Sequence, residues 1–121
     1  VVGDIILDVF YHGKVTRFTP DAPVPVIKVH NITRRLGGAA NVANNLSSLG
    51  VNTILTGFVG RDDSCKYLRE LLVKHTIQHY LIETEHPTIT KMNVIGENID
   101  GERQKMFRMD FEEGFCFPRI Y

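Results

Sequence analysis

The chain has no tryptophan and only two cysteines, Cys65 and Cys116. They lie far apart and form no CxxC pair, so neither a disulfide framework nor a thiolate metal site is indicated, and reduced thiols are expected. Charge of one sign is also missing: 14 Lys and Arg balance 14 Asp and Glu, a formal net charge of +0. That balance removes the electrostatic case for a nucleic acid or an anionic membrane surface as partner. No apolar run approaches the ~20 residues that cross a bilayer. No charged leader region precedes an apolar stretch, because Val1–Asp4 reads as the start of a strand, so a cytoplasmic protein is expected. The five histidines (His12, His30, His75, His79, His86) lack metal-ligand spacing. His75 and His79 sit one helical turn apart without an acidic residue beside them and read as surface or loop positions. An initiator Met is absent as well, and the expectation is that the natural N-terminus lies upstream.

What is present describes an ordinary globular chain. Its 121 residues are 43% hydrophobic and 23% charged, enough for one small domain but short for most enzymes of small metabolites. The apolar run Val1–Leu7 suits a strand buried on both faces of a parallel sheet. Asp8 then falls at its carboxyl end, where open α/β sheets bind ligands; a turn or capping aspartate is an equal reading. Residues 9–36 show no helical period, and Pro20, Pro23 and Pro25 exclude a central strand there. Val24–His30 is instead an edge or projecting strand that, with Tyr11–Thr19, could form a small antiparallel flap.

Gly37-Gly38 ends the flap and opens a helix that runs through Leu49 and stops at Gly50. At about 100° per residue Val42, Ala43, Leu46 and Leu49 share one broad face, and Asn41, Asn44, Asn45 and Ser48 the opposite one. Asparagine is a poor helix former, so this amide-rich face suggests use, although solvated residues would also fit. Thr53–Val59 reads as a second parallel strand. Asp62, Asp63 and Ser64 cap a helix whose stripe is Cys65, Leu68, Leu71 and Leu72, with only structural work visible in it. His79–Ile82 is a third short strand. Thr88–Gly96 and Lys105–Phe111, joined by a turn at Asp100-Gly101, give a second flap. In its second arm Phe107, Met109 and Phe111 alternate with Arg108 and Asp110, so one face is apolar and the other charged. The order of elements indicates an α/β chain with an inserted β layer.

The glycine pair matches neither the dinucleotide nor the P-loop pattern. Two readings remain: close backbone approach of sugar hydroxyls or a phosphate at a helix N-terminus, or a plain loop and cap. Their spacing in context decides between them. Gly37-Gly38-Ala39-Ala40-Asn41-Val42-Ala43, then Gly50, then Gly60, resembles the N-terminal signature of the ribokinase-like (PfkB) carbohydrate kinases. The stretches GDIILD (3–8), RFTPDAPVPVIKV (17–29), GGAANVANNLSSLG (37–50), HPTITK (86–91) and RMDFEE (108–113) are similar to the branch of that family acting on heptose 7-phosphate. The likeness covers essentially the whole chain. It departs in loops, at Arg61–Lys66 and around Asn98–Gln104, which bears on substrate detail rather than family.

The resemblance implies the fold: a ribokinase-like three-layer αβα sandwich, here its N-terminal part, with a projecting β-sheet lid. Residues 1–8 and 37–86 would form the core, with lid segments at approximately 9–36 and 87–112. It implies ATP-dependent phosphoryl transfer to the anomeric hydroxyl of a heptose 7-phosphate, with ATP and Mg2+ as cofactors that no residue of this chain binds. Asp8 matches the family's sugar-binding aspartate; Gly37, Gly38 and Asn41 match its glycine–asparagine contacts, and Asn45 lies one turn on from Asn41. Lys91, Arg108 and Asp110 are assigned to the substrate through the second lid segment, Lys91 or Arg108 offering a cation to its phosphate. A surface ion pair is the competing reading for Arg108 and Asp110. The family's catalytic base, an aspartate in a Gly-Ala-Gly-Asp motif, has no match here, and the chain is therefore expected to be an inactive fragment. A sugar phosphate substrate and a homodimer through the lid are the implied partners. Another sugar kinase of the family, or a non-catalytic sugar-binding module, are the alternatives.

Overall fold

The computed structural model describes residues 1–113. Cys116 lies outside the described residues. The elements run β1 (Ile5–Phe18), β2 (Pro25–Gly38), α1 (Ala39–Ser48), β3 (Ile54–Gly60), α2 (Asp63–Lys74), β4 (Gln78–Thr84), β5 (Ile89–Glu97) and β6 (Arg103–Phe111). A four-stranded sheet has the order β2-β1-β5-β6, and β3 pairs with β4 in a two-stranded parallel one. The β1–β2 and β5–β6 pairs are antiparallel, whereas β1 and β5 run parallel. A parallel bridge between Val2 and Thr56 stitches the two sheets together.

The first strand departs from the expected Val1–Leu7. Val2 belongs beside β3, and β1 starts at Ile5 and continues through Phe18. Asp8 therefore sits within a strand, not beyond its end. The strand persists because it has ladder partners on both edges, β2 and β5, well past the core. Its side chains alternate strictly at first: Ile5, Leu7 and Val9 are 0%, 1% and 3% exposed, while Ile6, Asp8 and Phe10 are half-buried on the other face. The prolines behave as their chemistry demands. Pro20 and Pro23 lie between β1 and β2, and Pro25 opens β2 on the outer edge of the sheet, where a missing N–H costs no ladder bond.

One buried cluster joins both sheets and both helices. It comprises Ile5, Leu7 and Val9 from β1, Leu36 from β2, Ala40 and Ala43 from α1, Leu55 and Val59 from β3, Cys65, Leu68 and Leu72 from α2, and Ile77. Each fully buried Leu or Val stabilises the fold by about 1.5–3 kcal/mol. Helix α1 touches this cluster through alanines, which corrects the expected face. Val42 and Leu49 are 49% and 79% exposed, because they lie about 160–180° around the helix from Ala40. The small Ala40 and Ala43 side chains let the helix approach the strands closely. Helix α2 buries Cys65, Leu68 and Leu72 with Leu71 packed alongside, the stripe its period predicts.

Asp62 does more than cap α2. Its Oδ1 accepts from the Cys65 N–H at 2.9 Å and from the Thr88 hydroxyl at 2.7 Å, and its Oδ2 accepts from the Thr88 N–H at 2.9 Å. The Gly60 N–H donates to the same Thr88 hydroxyl at 2.9 Å. The ends of β3, α2 and the approach to β5 are thus tied at one carboxylate. In the β5–β6 hairpin, Asn98 Oδ1 accepts from the N–H groups of Asp100 and Glu102, both at 3.0 Å, as the chain turns through Gly101 at φ 80. Every residue of β6 is exposed, including Phe107, Met109 and Phe111. No helix among the described residues is long and apolar enough to cross a membrane.

Candidate functional site

Residues paired directly across a sheet project from the same face, so register decides what surrounds Asp8. Asp8 lies opposite Arg35 on β2 and opposite Lys91 on β5, and Lys91 lies opposite Asp110 on β6. The result is a row of alternating charge across the sheet, Arg35–Asp8–Lys91–Asp110, with strands about 4.8 Å apart. The neighbouring row on that face is Thr33–Phe10–Asn93–Arg108. The core side chains Ile5, Leu7 and Val9 hold the other face of β1, so this face is left for something other than packing.

Within the two rows the cations are not equivalent. The Arg108 fork closes on Asp110, with Nε 2.8 Å from Oδ1 and Nη2 3.0 Å from Oδ2. The surface ion pair that was the competing reading for these two residues is therefore formed, along one strand. Arg35 instead lays its guanidinium over the Phe10 ring, 5.1 Å from the centroid. Phe10 stacks with His12 at 6.4 Å, and His12 Nε2 is 3.1 Å from the Thr33 hydroxyl oxygen. Asn93 is buried, and its amide lies 3.5 Å from the Lys91 carbonyl.

Asp8 has no ion pair or hydrogen bond with any described side chain. Burial pushes its carboxyl above the usual range, while Lys91, Arg108, Lys105 and Arg35 pull it part of the way back. A half-buried carboxylate among cations with none seated on it keeps its lone pairs available to hydroxyl donors. Gly37 makes room for it: a Cβ there would come within 2.5 Å of Asp8 Oδ2. Gly38 is glycine for another reason. Its φ is 57, in the left-handed region, and a Cβ would strike the Asp4 carbonyl oxygen. That carbonyl also accepts the Ala39 N–H at 2.8 Å, which starts α1.

Of the residues singled out in the sequence, Asp8, Gly37, Lys91, Arg108 and Asp110 share one sheet face. Gly38 ends β2 opposite Ile5 at the edge of that group. Asn41 and Asn45 follow on α1, one turn apart and exposed, without a hydrogen bond to Asp8. Arg35, Lys105, Phe10 and Asn93 escaped the sequence reading. Only the alternation from Asp8 along β1 hinted at Phe10; the others needed the register of strands distant in sequence.

Among the described residues no group of three or more His, Cys, Asp or Glu side chains could hold a metal ion. Asp110 is engaged by Arg108 and Asp8 is flanked by cations, so this donor set does not suit Mg2+. The glycine pair lies in the β1–β2 ladder, Gly37 opposite Ile6 and Gly38 opposite Ile5.

The fold has clear counterparts. A carbohydrate kinase from Agrobacterium tumefaciens superposes with a TM-score of 0.68 at 18% identity, over 90% of this chain and 33% of that one. Phosphofructokinase-2 from Escherichia coli in complex with fructose-6-phosphate gives 0.64 at 19%, over 86% and 32%. Ribokinase from Thermotoga maritima gives 0.57 at 20%, over 91% and 34%. The architecture is that of the ribokinase-like αβα proteins, represented in part. Residues 1–109 match the pfkB family of carbohydrate kinases, and the chain belongs to that family. It is 46% identical over 116 residues to the bifunctional protein HldE of Actinobacillus pleuropneumoniae serotype 5b (strain L20), and equally to that of Klebsiella pneumoniae (strain 342). The chain covers 95% of itself in these matches and spans 23% of the length of either relative.

Proposed function

We propose that this chain is the sugar-binding portion of an ATP-dependent kinase that phosphorylates D-glycero-D-manno-heptose 7-phosphate at O1. The product would be the 1,7-bisphosphate, a precursor of ADP-heptose and of the lipopolysaccharide core. The observation that carries the reading is the unpaired Asp8 carboxylate beside the bare backbone of Gly37, on a sheet face that the core does not use. The 46% identity to HldE supports the choice of a heptose over other sugars.

In this reading Asp8 accepts hydrogen bonds from two sugar hydroxyls, which fixes the ring against the sheet. Asn41 and Asn45 offer amides from α1 at the Gly38 end, where Gly37 and Gly38 border the ring. Lys91 offers an ammonium beside Asp8, and the Arg108–Asp110 pair closes the face on the β6 side. The base that removes the O1 proton, and the groups that hold ATP and Mg2+, belong to a part of the longer protein outside this chain. ATP supplies the phosphoryl group; what these residues do is bind, orient and shield the acceptor. The enzyme would work in the cytoplasm as a homodimer joined through the four-stranded sheet.

The test is an ADP-release assay on the protein encoded by the complete gene. Turnover with heptose 7-phosphate, and none from purified residues 1–121, is the expected result. Turnover with ribose or fructose but not with the heptose would remove the substrate assignment, and transfer by the isolated chain would remove the division of labour.

A further inference from the structure

A cleft of about 270 Å3 opens between β1, β2 and the β5–β6 hairpin, lined in part by His12, His30, Asn31, Thr33, Arg35 and Arg103. That is room for several water-sized groups. It begins at the charged row and extends away from Asp8, because Arg35 pairs with Asp8 in the ladder yet leans over Phe10, two residues further along β1. His12 lies two residues beyond that. At about 3.3 Å per residue the cleft spans roughly 7–13 Å from Asp8 along the strand. A short carbon arm ending in a phosphate has that reach when its ring sits on Asp8.

The cations near the cleft can be sorted by what already holds them. Arg108 is closed on Asp110. Arg103 has a long pair with Glu97, 3.9 Å, and Glu97 also lines the cleft and offsets its charge. Arg35 has no carboxylate within ion-pair distance among the described residues. Its guanidinium sits over the Phe10 ring, 5.1 Å from the centroid, and its N–H groups have no side-chain acceptor among the described residues, which leaves the fork available to a phosphate. The Thr33 hydroxyl and the His12 ring line the cleft beside it as further hydrogen-bonding groups.

We propose that Arg35, in this cleft, is the specificity-determining contact for the phosphate monoester of the sugar substrate. The proposal rests on the sugar site at Asp8 and assigns the phosphate to a residue of β2 in place of Lys91 or Arg108.

The experiment uses the complete protein, with heptose 7-phosphate and the same heptose lacking its phosphate as alternative acceptors. Arg35→Ala is expected to raise KM for the phosphorylated sugar about 10- to 100-fold, as loss of a charge-assisted contact does, with kcat changed less than about threefold. KM for the unphosphorylated sugar stays as it was, and Arg35→Lys recovers part of the loss. In the unsubstituted enzyme, inorganic phosphate competes with heptose 7-phosphate, and Arg35→Lys weakens that competition. An equal loss on both sugars, or no loss on either, overturns the proposal. Should Arg35→Ala fail to fold by circular dichroism, the lysine variant and phosphate competition decide alone: competition unaltered by Arg35→Lys overturns it. Asp8→Asn separates this from the underlying reading, since it should impair both sugars alike. If it impairs neither, the sugar site itself is misplaced.

Discussion

The two faces of β1 between Ile5 and His12 differ in almost every physical respect, although one backbone carries both. Ile5, Leu7 and Val9 disappear into the cluster shared with α1, α2 and β3. Ile6, Asp8, Phe10 and His12 stay half-buried and face Arg35, Lys91 and Asn93 across the ladder. The first face is held by packing, and its one polar group, the Tyr11 hydroxyl at the end of the row, donates to the Met92 sulfur. The second contains a carboxylate that burial makes harder to ionise and that no side chain of the described residues neutralises by contact. Such a group does not help the chain fold, and the buried face supplies the stability that lets it remain. The comparison teaches that a sheet can position a half-buried carboxylate rigidly by anchoring the residues on either side of it, Leu7 and Val9, in the opposite direction.

Substitutions on each face should break this comparison in different ways. The largest effect is expected in the core: Leu68→Ala should lower unfolding free energy by about 2–5 kcal/mol, read from urea denaturation of the complete protein, with KM for sugar unchanged while the protein is folded. Asp8→Asn should do the reverse. Hydrogen bonds to a charged group are worth about 1.5–3 kcal/mol, so kcat/KM for the sugar should fall about a hundredfold.

The same substitution should not reduce stability. The folded-state value of Asp8 is raised, so the folded chain binds its proton more readily than the unfolded chain does. Ionised Asp8 therefore opposes folding above its folded value, and the penalty vanishes below about 3.9, the unfolded value. Asp8→Asn should raise the melting temperature at pH 7, and the gain should shrink to nothing as the pH is taken down to 3. A lower melting temperature at pH 7 would mean that the carboxylate is a structural partner after all.

Gly37→Ala sharpens the contrast at a single methyl group. The added Cβ needs the space of Asp8 Oδ2, 2.5 Å away, and the short carboxylate must turn aside. Sugar affinity should fall on the order of tenfold, about 1.4 kcal/mol, with a smaller change in stability. The least effect is expected at Arg34, next in sequence to Arg35 but on the other face of β2. Its guanidinium covers Tyr67 at 3.8 Å, an exposed contact worth about 0.5–1 kcal/mol. Arg34→Ala should cost no more than that in denaturation, and sugar kinetics should not register it.

Much of the fold was legible because its signals are local. The stripe of α2, the capping aspartate at Asp62 and the turn at Gly101 all follow from spacing within a few residues. The length of β1 was not legible, because Asp8 interrupts the apolar run and continuation depends on β2 and β5 as partners. The buried face of α1 was misread because periodicity favours the large Val42 and Leu49, whereas close packing selected Ala40 and Ala43. The second and third bonds of Asp62, to Thr88, were hidden by the distance between them in sequence. On the charged sheet face, Asp8 and Gly37 could be named in advance from the resemblance to the family, and Lys91, Arg108 and Asp110 from their place on the second flap. Arg35 and Lys105 could not, since only strand register puts them on the face of Asp8.

A crystal structure of the complete protein with heptose 7-phosphate is the most direct examination of these assignments. The sugar ring should lie on the Ile6–Asp8–Phe10 side of β1, with one or two hydroxyl oxygens about 2.5–3.0 Å from the Asp8 carboxylate. A sugar bound elsewhere, with Asp8 left to water or folded onto Lys91, would contradict them.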